Sequence, residues 1–298
     1  MPAAAEWTRR PERGSASAMR LMAWLSLTLG RAASRELVRL IALYFLLTGG
    51  TARRNATAFL TRALGRRPTF GEQFRHFFAF SSTLHDRIYF LRNRFDLFEV
   101  QVNGAELFGN EGALLMGGHV GSFEALRACG RELGKRRVAM AMYEVNARLF
   151  NDVLSAINPE LKNDIVPLGQ PQSMIELAGR LEDGALVGML ADRTLGDEPS
   201  IMVNFLGEDA AFPTGPMRVA AALRARVLFM AGLYRGGNCY DVRFEPLADF
   251  RDLEGLSRAE RDAKVRDAVV AYAARLEQTA REAPDNWFNF HDFWGKSQ

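Results

Sequence analysis

A histidine and a glutamate lie five positions apart in the segment LLMGGHVGSFE, residues 114–124. The apolar run predicts a strand, the glycines predict a tight turn, and Ser122 is a typical N-cap of a following helix. On a continuous helix these two side chains would point about 140° apart, so His119 must lie in the turn to meet Glu124. A histidine oriented by a carboxylate can act as a general base. The alternative is structural: a histidine that satisfies loop carbonyls and a glutamate that caps a helix.

Other catalytic signatures are absent from this turn. The nucleophile elbow, the dinucleotide fingerprint and the P-loop each require a spacing of glycine and hydroxyl residues that the sequence from 117 to 135 lacks. The four histidines are scattered and no cysteine pair accompanies them, so we predict no metal site. The pair His85–Asp86 lies in a helical pattern without further ligands, and we interpret it as structural.

Short apolar runs alternate with helical patterns from residue 113 onward. The runs cover residues 113–116, 138–142, 165–168, 185–191, 227–231 and 240–244, and the helical patterns cover 122–134, 145–156, 171–182, 216–225 and 257–282. This alternation predicts an α/β fold with a mixed, mostly parallel sheet flanked by helices. Ligands of such sheets bind beyond the carboxyl ends of the strands, so we expect the chemistry at residues 117–124 and 192–196.

The composition is that of a globular protein with ordinary proportions. The chain has 298 residues, of which 48% are hydrophobic and 24% charged, and these values exclude disordered and disulfide-scaffold classes. Cys129 and Cys239 lie far apart in apolar surroundings. We therefore expect buried thiols in a reducing compartment.

The first 70 residues form a basic region. They carry twelve arginines, no lysine and three glutamates, a net charge of +9, although the whole chain has only +3. Arg31, Arg35 and Arg39 recur every fourth residue beside aliphatic and aromatic residues, which predicts amphipathic helices in the headgroup region of an anionic membrane. Alternatively, these helices cover the core and the arginines are solvated. The apolar stretches are too short to span a bilayer, and the pattern lacks the exposed stacking aromatics of a nucleic-acid site.

The segment HVGSFE, residues 119–124, resembles the His-x4-Glu/Asp motif of the lysophospholipid acyltransferase superfamily. Further along the chain, Asp192-Arg193, VNFLG at 203–207 and FPTGP at 212–216 are similar to motifs of the lipid A biosynthesis (lauroyl/myristoyl) acyltransferase branch. The resemblance covers roughly residues 20–295, and the ordered set is far more specific than the first motif alone.

The resemblance implies an O-acyltransferase that moves a fatty acyl chain from acyl carrier protein or coenzyme A to a hydroxyl of a membrane lipid or glycolipid. The acyl thioester is a co-substrate, and no other cofactor is implied. His119 would deprotonate the acceptor hydroxyl and Glu124 would orient His119, without a covalent enzyme intermediate. The implied location is the cytoplasmic face of a bacterial inner membrane, with a membrane-association region over 1–70, peripheral or anchored, and an acyltransferase domain over 71–298.

The other site residues follow from the same resemblance. Arg193 would stabilise the tetrahedral oxyanion or bind a phosphate of the donor's pantetheine arm, and its alternative is an ion pair with Asp192 or Glu198. Backbone amides near Gly118 and Gly121 would supply further oxyanion donors. We expect Asp192 to position Arg193 or to cap the turn.

Four more residues complete the predicted site. Ser122 and Thr214 would lie at helix N-termini beside the substrate, Thr214 being first a structural cap. The family commonly carries an arginine after an aromatic residue in the loop following the next strand, whereas here Glu144 follows Tyr143. Arg148 is our candidate for that place. His291 is a weaker second candidate for a base.

Two alternatives to an acyltransferase remain open in the sequence. A hydrolase would use the same base to activate water, and a membrane-bound lipid carrier would use the glycine turn only to close its fold. A carrier should bury His119 away from any groove, whereas a catalyst should show it at the mouth of an apolar cleft. The aromatic segment 287–294 either packs on the core, which we favour, or anchors in the membrane interface.

Overall fold

The computed structural model describes residues 16–132, 136–143, 164–194 and 198–295. Its N-terminal part is helical: α1 (Ala16–Leu29), α2 (Arg31–Thr48), α3 (Gly50–Leu64) and α4 (Phe70–Leu91). Helix α4 begins with a capping box, in which Thr69 accepts from the backbone N–H of Glu72 while the Glu72 side chain accepts from the backbone N–H of Thr69. This reciprocal cap fixes the start of the helix that forms one wall of the site described below.

Strands and helices then alternate along the chain. In order they are β1 (Glu99–Asn103), β2 (Ala113–Gly117), α5 (Phe123–Glu132), β3 (Val138–Tyr143), β4 (Ile165–Leu168), α6 (Pro171–Glu182), β5 (Leu186–Leu190), β6 (Ser200–Phe205), β7 (Glu208–Pro213), α7 (Gly215–Ala222), β8 (Arg226–Gly236), β9 (Cys239–Asp249) and α8 (Arg258–Glu282). Short 3-10 turns at Phe95–Leu97 and Ala105–Phe108 flank β1.

Seven of the described strands form one sheet, in the order β1-β9-β8-β2-β5-β3-β4. Neighbouring strands are parallel except for the antiparallel pair β8 and β9. Strands β6 and β7 form a separate antiparallel hairpin. The predicted α/β class with a mixed, mostly parallel sheet is therefore confirmed.

The centre of the sheet is the core of the protein. All five residues of β2 are buried, as expected for a strand covered on both faces. Helix α3 contributes Phe59 and Leu60 to this same core, where Phe59 meets Trp287 with ring centroids 4.8 Å apart. The predicted boundary near residue 70 falls between α3 and α4, and the separate role assigned to residues 1–70 stays a prediction.

The six apolar runs singled out in the sequence are strands β2, β3, β4, β5, β8 and β9, and the predicted helices at 122–134, 171–182, 216–225 and 257–282 are α5, α6, α7 and α8 within a few residues. The helix predicted at 145–156 lies outside the described residues. Strand β1 and the β6–β7 hairpin were not predicted.

Two of the three arginines in the α2 stripe face the protein. Arg31 is bound by both carboxylate oxygens of Asp86, at 2.7 and 2.8 Å, and Arg35 donates to the hydroxyl of Tyr234 at 2.6 Å. The expectation that these two arginines meet lipid headgroups is therefore wrong, because buried acceptors of the sheet and of α4 bind them. Arg39 is half exposed and pairs with Glu36. Among the described helices none is long and apolar enough to cross a bilayer.

Candidate active site

The site forms where two adjacent parallel strands end. Strands β2 and β5 are neighbours, with Gly117 opposite Leu190 in the register. His119 follows Gly117 by two residues and Asp192 follows Leu190 by two residues, so both side chains leave the sheet at the same edge. This position beyond the carboxyl ends of parallel strands is the one that the sequence predicted for the chemistry.

Asp192 is the carboxylate partner of His119. The Nδ1 atom of His119 lies 2.8 Å from Oδ1 of Asp192, and the backbone N–H of His119 donates to Oδ2 at 2.9 Å. The indole N–H of Trp287 donates to the same Oδ2 at 3.0 Å. Asp192 is 1% exposed. Three donors thus fix this buried carboxylate against one face of the turn.

The predicted pairing of His119 with Glu124 is wrong. None of the hydrogen bonds or ion pairs of the described residues joins these two side chains, because the Nδ1 side of the imidazole is turned toward β5. The role expected for Asp192, holding Arg193 or capping the turn, is corrected by the same contacts: it holds the histidine.

The electrostatics of the pair favour a neutral imidazole beside an ionised carboxylate. Burial and the positive charge of Arg193 lower the pKa of His119, against the opposing effect of Asp192. Burial raises the pKa of Asp192, but His119 and Arg193 outweigh it and hold that pKa well below its ordinary value. An ionised carboxylate can only accept, so Nδ1 carries the proton and Nε2 presents its lone pair.

The glycine turn makes close approaches that leave little room for a side chain. A Cβ at Gly118 would lie 3.2 Å from the carboxylate of Asp192, and one at Gly121, where φ is +62°, would overlap the carbonyl oxygen of Gly232. The backbone N–H of Gly121 donates to the carbonyl oxygen of Asn286 at 2.9 Å. This amide is therefore already bound, and the expectation that it serves as an oxyanion donor is wrong.

Ser122 starts helix α5 as predicted. Its hydroxyl oxygen accepts from the backbone N–H of Ala125 at 3.3 Å, the bond expected of an N-cap. Glu124 follows in the first turn with its side chain 4% exposed, and its Oε1 lies 2.8 Å from Nε of Arg87 on α4. The glutamate of the motif thus contacts α4, on the side of the turn away from β5.

Arg193 lies beside the catalytic candidates with a buried guanidinium. One terminal nitrogen donates to the carbonyl oxygen of Phe288 at 2.9 Å, while its Nε has no hydrogen-bond partner among the described residues. Burial lowers the pKa of Arg193, against the opposing effect of Asp192. The group stays charged, because an arginine begins from a very high pKa. No described ion pair joins it to Asp192 or Glu198.

His119, Glu124, Arg87 and Arg193 all line one cleft of about 350 Å³. Most of the remaining wall is apolar: Phe80, Leu84, Val120, Phe123, Leu126, Leu190, Met230, Phe288 and Phe290. Leu84 and Leu190 are 43% and 40% exposed, whereas Leu126 and Met230 are buried. The cleft therefore has exposed apolar residues at its rim and buried apolar residues at its floor, and the imidazole of His119 on its wall is 33% exposed.

Only some of the other predicted site residues line the cleft. Gly118, Gly121, Ser122 and His291 line the cleft. Thr214 does not, and its hydroxyl donates to the carbonyl oxygen of Pro199 at 3.0 Å instead of capping α7. Arg148 lies outside the described residues. Within the described ranges no group of three or more histidine, cysteine, aspartate or glutamate side chains could hold a metal ion.

The aromatic segment 287–294 packs on the protein, as favoured. Trp287 is 1% and Phe288 6% exposed. The two cysteines are free, with Cys129 buried as expected and Cys239 only partly buried at the start of β9.

The family model of bacterial lipid A biosynthesis acyltransferases matches residues 83–296, which include β1 to β9, His119 and its hydrogen-bond partner Asp192. The chain belongs to this family. The protein is accordingly an acyltransferase of lipid biosynthesis, and the site at the end of β2 and β5 lies within the matched region. No curated protein matches the sequence significantly.

One solved structure that is similar to this chain is the 1-acyl-sn-glycerophosphate (LPA) acyltransferase PlsC from Thermotoga maritima. It is 17% identical, with 83% of this chain and 97% of that chain covered and a TM-score of 0.38.

Sequence reasoning missed two contributors to this acyltransferase site. Arg87 follows Phe80 and Leu84 at helical spacing on α4, so the three could have been assigned to one face. Trp287 was recognised only as an aromatic packing residue. Its bond to Asp192 joins residues 95 positions apart, and no local pattern reports such a contact.

Proposed function

We propose that this acyltransferase moves a fatty acyl chain from an acyl thioester to a hydroxyl of a membrane lipid or glycolipid, with His119 as the general base. The observation that carries the proposal is the short contact between His119 and the buried Asp192 at an apolar cleft. A carrier would bury the histidine away from any groove, so the cleft favours a catalyst over that alternative.

The proposed reaction proceeds in two steps without a covalent enzyme intermediate. Nε2 of His119 takes the proton of the acceptor hydroxyl as its oxygen attacks the thioester carbonyl carbon, and the carbonyl electrons move to the oxygen. The tetrahedral intermediate then collapses, the C–S bond breaks, and the imidazolium returns the proton to the leaving thiolate. Asp192 stabilises the imidazolium in between and keeps its ring oriented.

The oxyanion requires a donor, and Arg193 is the proposed one. Its buried charge lies on the cleft wall, and its Nε lacks a partner among the described residues. A cation in a poorly solvated site stabilises developing negative charge more strongly than it would in water.

The proposed donor is acyl carrier protein or coenzyme A carrying the acyl chain, and no further cofactor is required by this mechanism. The apolar wall of the cleft suits a hydrocarbon tail, since burial of each CH₂ contributes about 0.8 kcal/mol. Comparing lipid extracts of cells with and without the protein by mass spectrometry tests the function directly. An added acyl mass on one lipid class supports transfer, whereas free fatty acid without an acylated lipid supports the hydrolase.

We further propose that α1 and α2 hold the protein on the cytoplasmic face of a bacterial inner membrane. Their outer surface carries large apolar side chains that are between 42% and 64% exposed: Leu21, Trp24, Leu27, Leu29, Leu40, Tyr44 and Leu47. Within α2 the members recur at positions 40, 44 and 47, so they form a single stripe. Such a stripe gains free energy by entering the acyl boundary of a bilayer.

Co-sedimentation with vesicles of phosphatidylglycerol tests this location. The triple variant Leu40→Ser, Tyr44→Ser, Leu47→Ser should lower the bound fraction severalfold. Ile175→Ser on α6, where the side chain is 75% exposed, is the matched control and should bind like the wild type. Equal binding of the wild type and the triple variant would contradict this membrane face.

A further inference from the structure

Strand β8 extends beyond its neighbour β2, and a buried asparagine covers part of the remaining edge. The pairing of β2 with β8 ends at Met116 and Phe229, whereas β8 continues to Gly236. At Tyr234 the side chain of Asn286 takes the place of a strand. Its Oδ1 accepts from the backbone N–H of Tyr234 at 2.7 Å, and its Nδ2 donates to the carbonyl oxygen of the same residue at 3.0 Å. Because Asn286 is 1% exposed, these backbone groups obtain from it the partners that buried polar groups require.

The same asparagine begins a short segment that pairs with the turn after β2. Residues 286–288, called the clamp segment here, run antiparallel to residues 119–121. The backbone N–H of Phe288 donates to the carbonyl oxygen of His119 at 2.8 Å. The first carbonyl oxygen of the clamp segment accepts from the N–H of Gly121 at 2.9 Å. The clamp segment therefore sets the position of the His119 backbone together with β2.

The clamp segment also contacts the two other groups that the proposed reaction uses. The indole N–H of Trp287 donates to Oδ2 of Asp192 at 3.0 Å. The carbonyl oxygen of Phe288 accepts from a terminal nitrogen of Arg193 at 2.9 Å. The base is thus bound through its backbone, the carboxylate through the indole and the cation through a carbonyl oxygen. A shift of the clamp segment would displace all three groups together.

Two kinds of contact hold the clamp segment itself. The ring of Trp287 packs against Phe59 and Phe205, with ring centroids 4.8 and 5.2 Å apart. Hydrophobic packing of this kind is not directional. The two hydrogen bonds from Asn286 to a single residue of β8 are directional, so they fix the segment along the strand. An amide side chain suits this position because it carries both a donor and an acceptor.

We propose that Asn286 is a positioning residue of this acyltransferase, which fixes the clamp segment to β8 and so keeps the base, its carboxylate and the buried arginine in their reactive arrangement. This inference rests on the proposed function, because it assigns Asn286 an effect on turnover by those three groups. A residue that acts in this way changes kcat more than KM.

The variant Asn286→Ala, which removes both hydrogen bonds to Tyr234, tests the proposal. Its kcat per folded molecule should fall about tenfold to a hundredfold, because a misplacement of reacting groups by about 1 Å has an effect of this size. Its KM should stay within about threefold of the wild-type value. Initial rates of thiol release from an acyl thioester, with membrane lipid extract as acceptor, give both parameters.

A destabilised control separates lost turnover from lost stability. Val166 is fully buried in β4, at the opposite edge of the sheet from β1, and Val166→Ala should destabilise the fold by leaving a cavity. This variant should keep the wild-type kcat per folded molecule. Urea unfolding on the same preparations gives the folded fraction of each variant.

Tryptophan labelled with ¹⁵N provides a readout that requires no turnover. The chain has four tryptophans, and the indole signal of Trp287 is the one that disappears in Trp287→Phe. In Asn286→Ala this indole N–H should exchange with solvent at least about tenfold faster, because its bond to Asp192 opens more often. The indole of Trp294, which donates to the carbonyl oxygen of Phe205 at 3.1 Å, is the internal reference and should exchange at the wild-type rate.

A measurement on the wild type keeps the test decisive if Asn286→Ala does not fold. The backbone N–H groups of Gly121, Tyr234 and Phe288 should have similar protection from hydrogen exchange, because the clamp segment makes their bonds open as one unit. Rapid exchange at Gly121 and Phe288 beside a protected Tyr234 would overturn the proposal.

Two results in the variant would also overturn it: a wild-type kcat per folded molecule, or an unchanged exchange rate of the Trp287 indole. The failure of the proposed function would look different. A protein that releases free fatty acid without an acylated lipid would refute acyl transfer, whereas the rate of that hydrolysis and the indole exchange would still report on Asn286.

Discussion

Replacing Asp192 by asparagine should reverse the hydrogen bond at His119. Oδ2 accepts both the backbone N–H of His119 at 2.9 Å and the indole N–H of Trp287 at 3.0 Å. The amide of Asp192→Asn has only one oxygen, and leaving these two buried donors unpaired would cost about 1–3 kcal/mol each. The oxygen therefore stays at that position, and the amide NH₂ turns toward Nδ1 and donates to it.

The reversed hydrogen bond would hold His119 in the wrong tautomer. With Nδ1 accepting, Nε2 carries the proton and cannot take one from the acceptor hydroxyl. In the serine protease triad the corresponding change lowers kcat by about 10⁴ with the geometry intact. We expect a loss of about 10³- to 10⁴-fold in kcat, whereas the near-isosteric change should alter the free energy of unfolding by only about 1 kcal/mol.

The assay measures initial rates of thiol release from an acyl thioester with membrane lipid extract as acceptor, and mass spectrometry confirms the acylated product. Urea unfolding is followed on the same preparations, and Asp252→Asn, an exposed aspartate, is the control. If Asp192→Asn kept a tenth of the wild-type kcat while folding normally, the assignment of His119 and Asp192 as the catalytic pair would be refuted.

Four further results are expected. The acid limb of kcat/KM should have its midpoint below pH 6.5, because burial and Arg193 lower the pKa of His119. A pH–rate profile measures this midpoint, and a value above 6.5 would contradict the prediction. Burial lowers the pKa of His76 from 6.5 to about 4. As the pH falls, the unfolded chain therefore binds a proton at this position before the folded protein does, and the free energy of unfolding should fall by up to about 3 kcal/mol between pH 6.5 and 4. Urea unfolding tests this, and the variant His76→Gln should lose this part of the pH dependence. Asp86→Asn should destabilise the fold by about 3 kcal/mol, because the largely buried Arg31 loses its charge partner, as chemical denaturation will show. Trp287→Phe should lower kcat about tenfold, since Asp192 loses one of three donors, and an unchanged kcat would remove the indole from the catalytic arrangement.

The fold was predictable where hydrophobicity alone specifies a buried strand. Strand β2 is buried at every residue and β5 at four of five, so each stands out as a short apolar run. Strand β1, with the sequence EVQVN, has no fully buried residue. It is paired on one side only, at the edge of the sheet, and its alternating polar residues resemble a loop.

The site was predictable only in part, because the decisive contact is not local. The turn after β2 and the loop after β5 were both singled out, yet the sequence does not give the order of the strands. His119 and Asp192 are 73 residues apart and meet because β2 and β5 are adjacent. The nearer carboxylate, Glu124, fitted the spacing of the motif and was therefore assigned the wrong contact.

The site contains two carboxylates with separate basic partners, and the direction of each element explains the division. His119 precedes α5, so its ring lies at the sheet edge and meets the residue that follows β5. Glu124 lies in the first turn of α5, and side chains of a helix lean toward its N-terminus, which brings this carboxylate to α4 and Arg87. Charge at Asp192 should therefore act on the protonation of the base and on kcat. In Asp192→Asn the acid limb of the pH–rate profile should move still lower, because the carboxylate of Asp192 raises the pKa of His119 in the wild type.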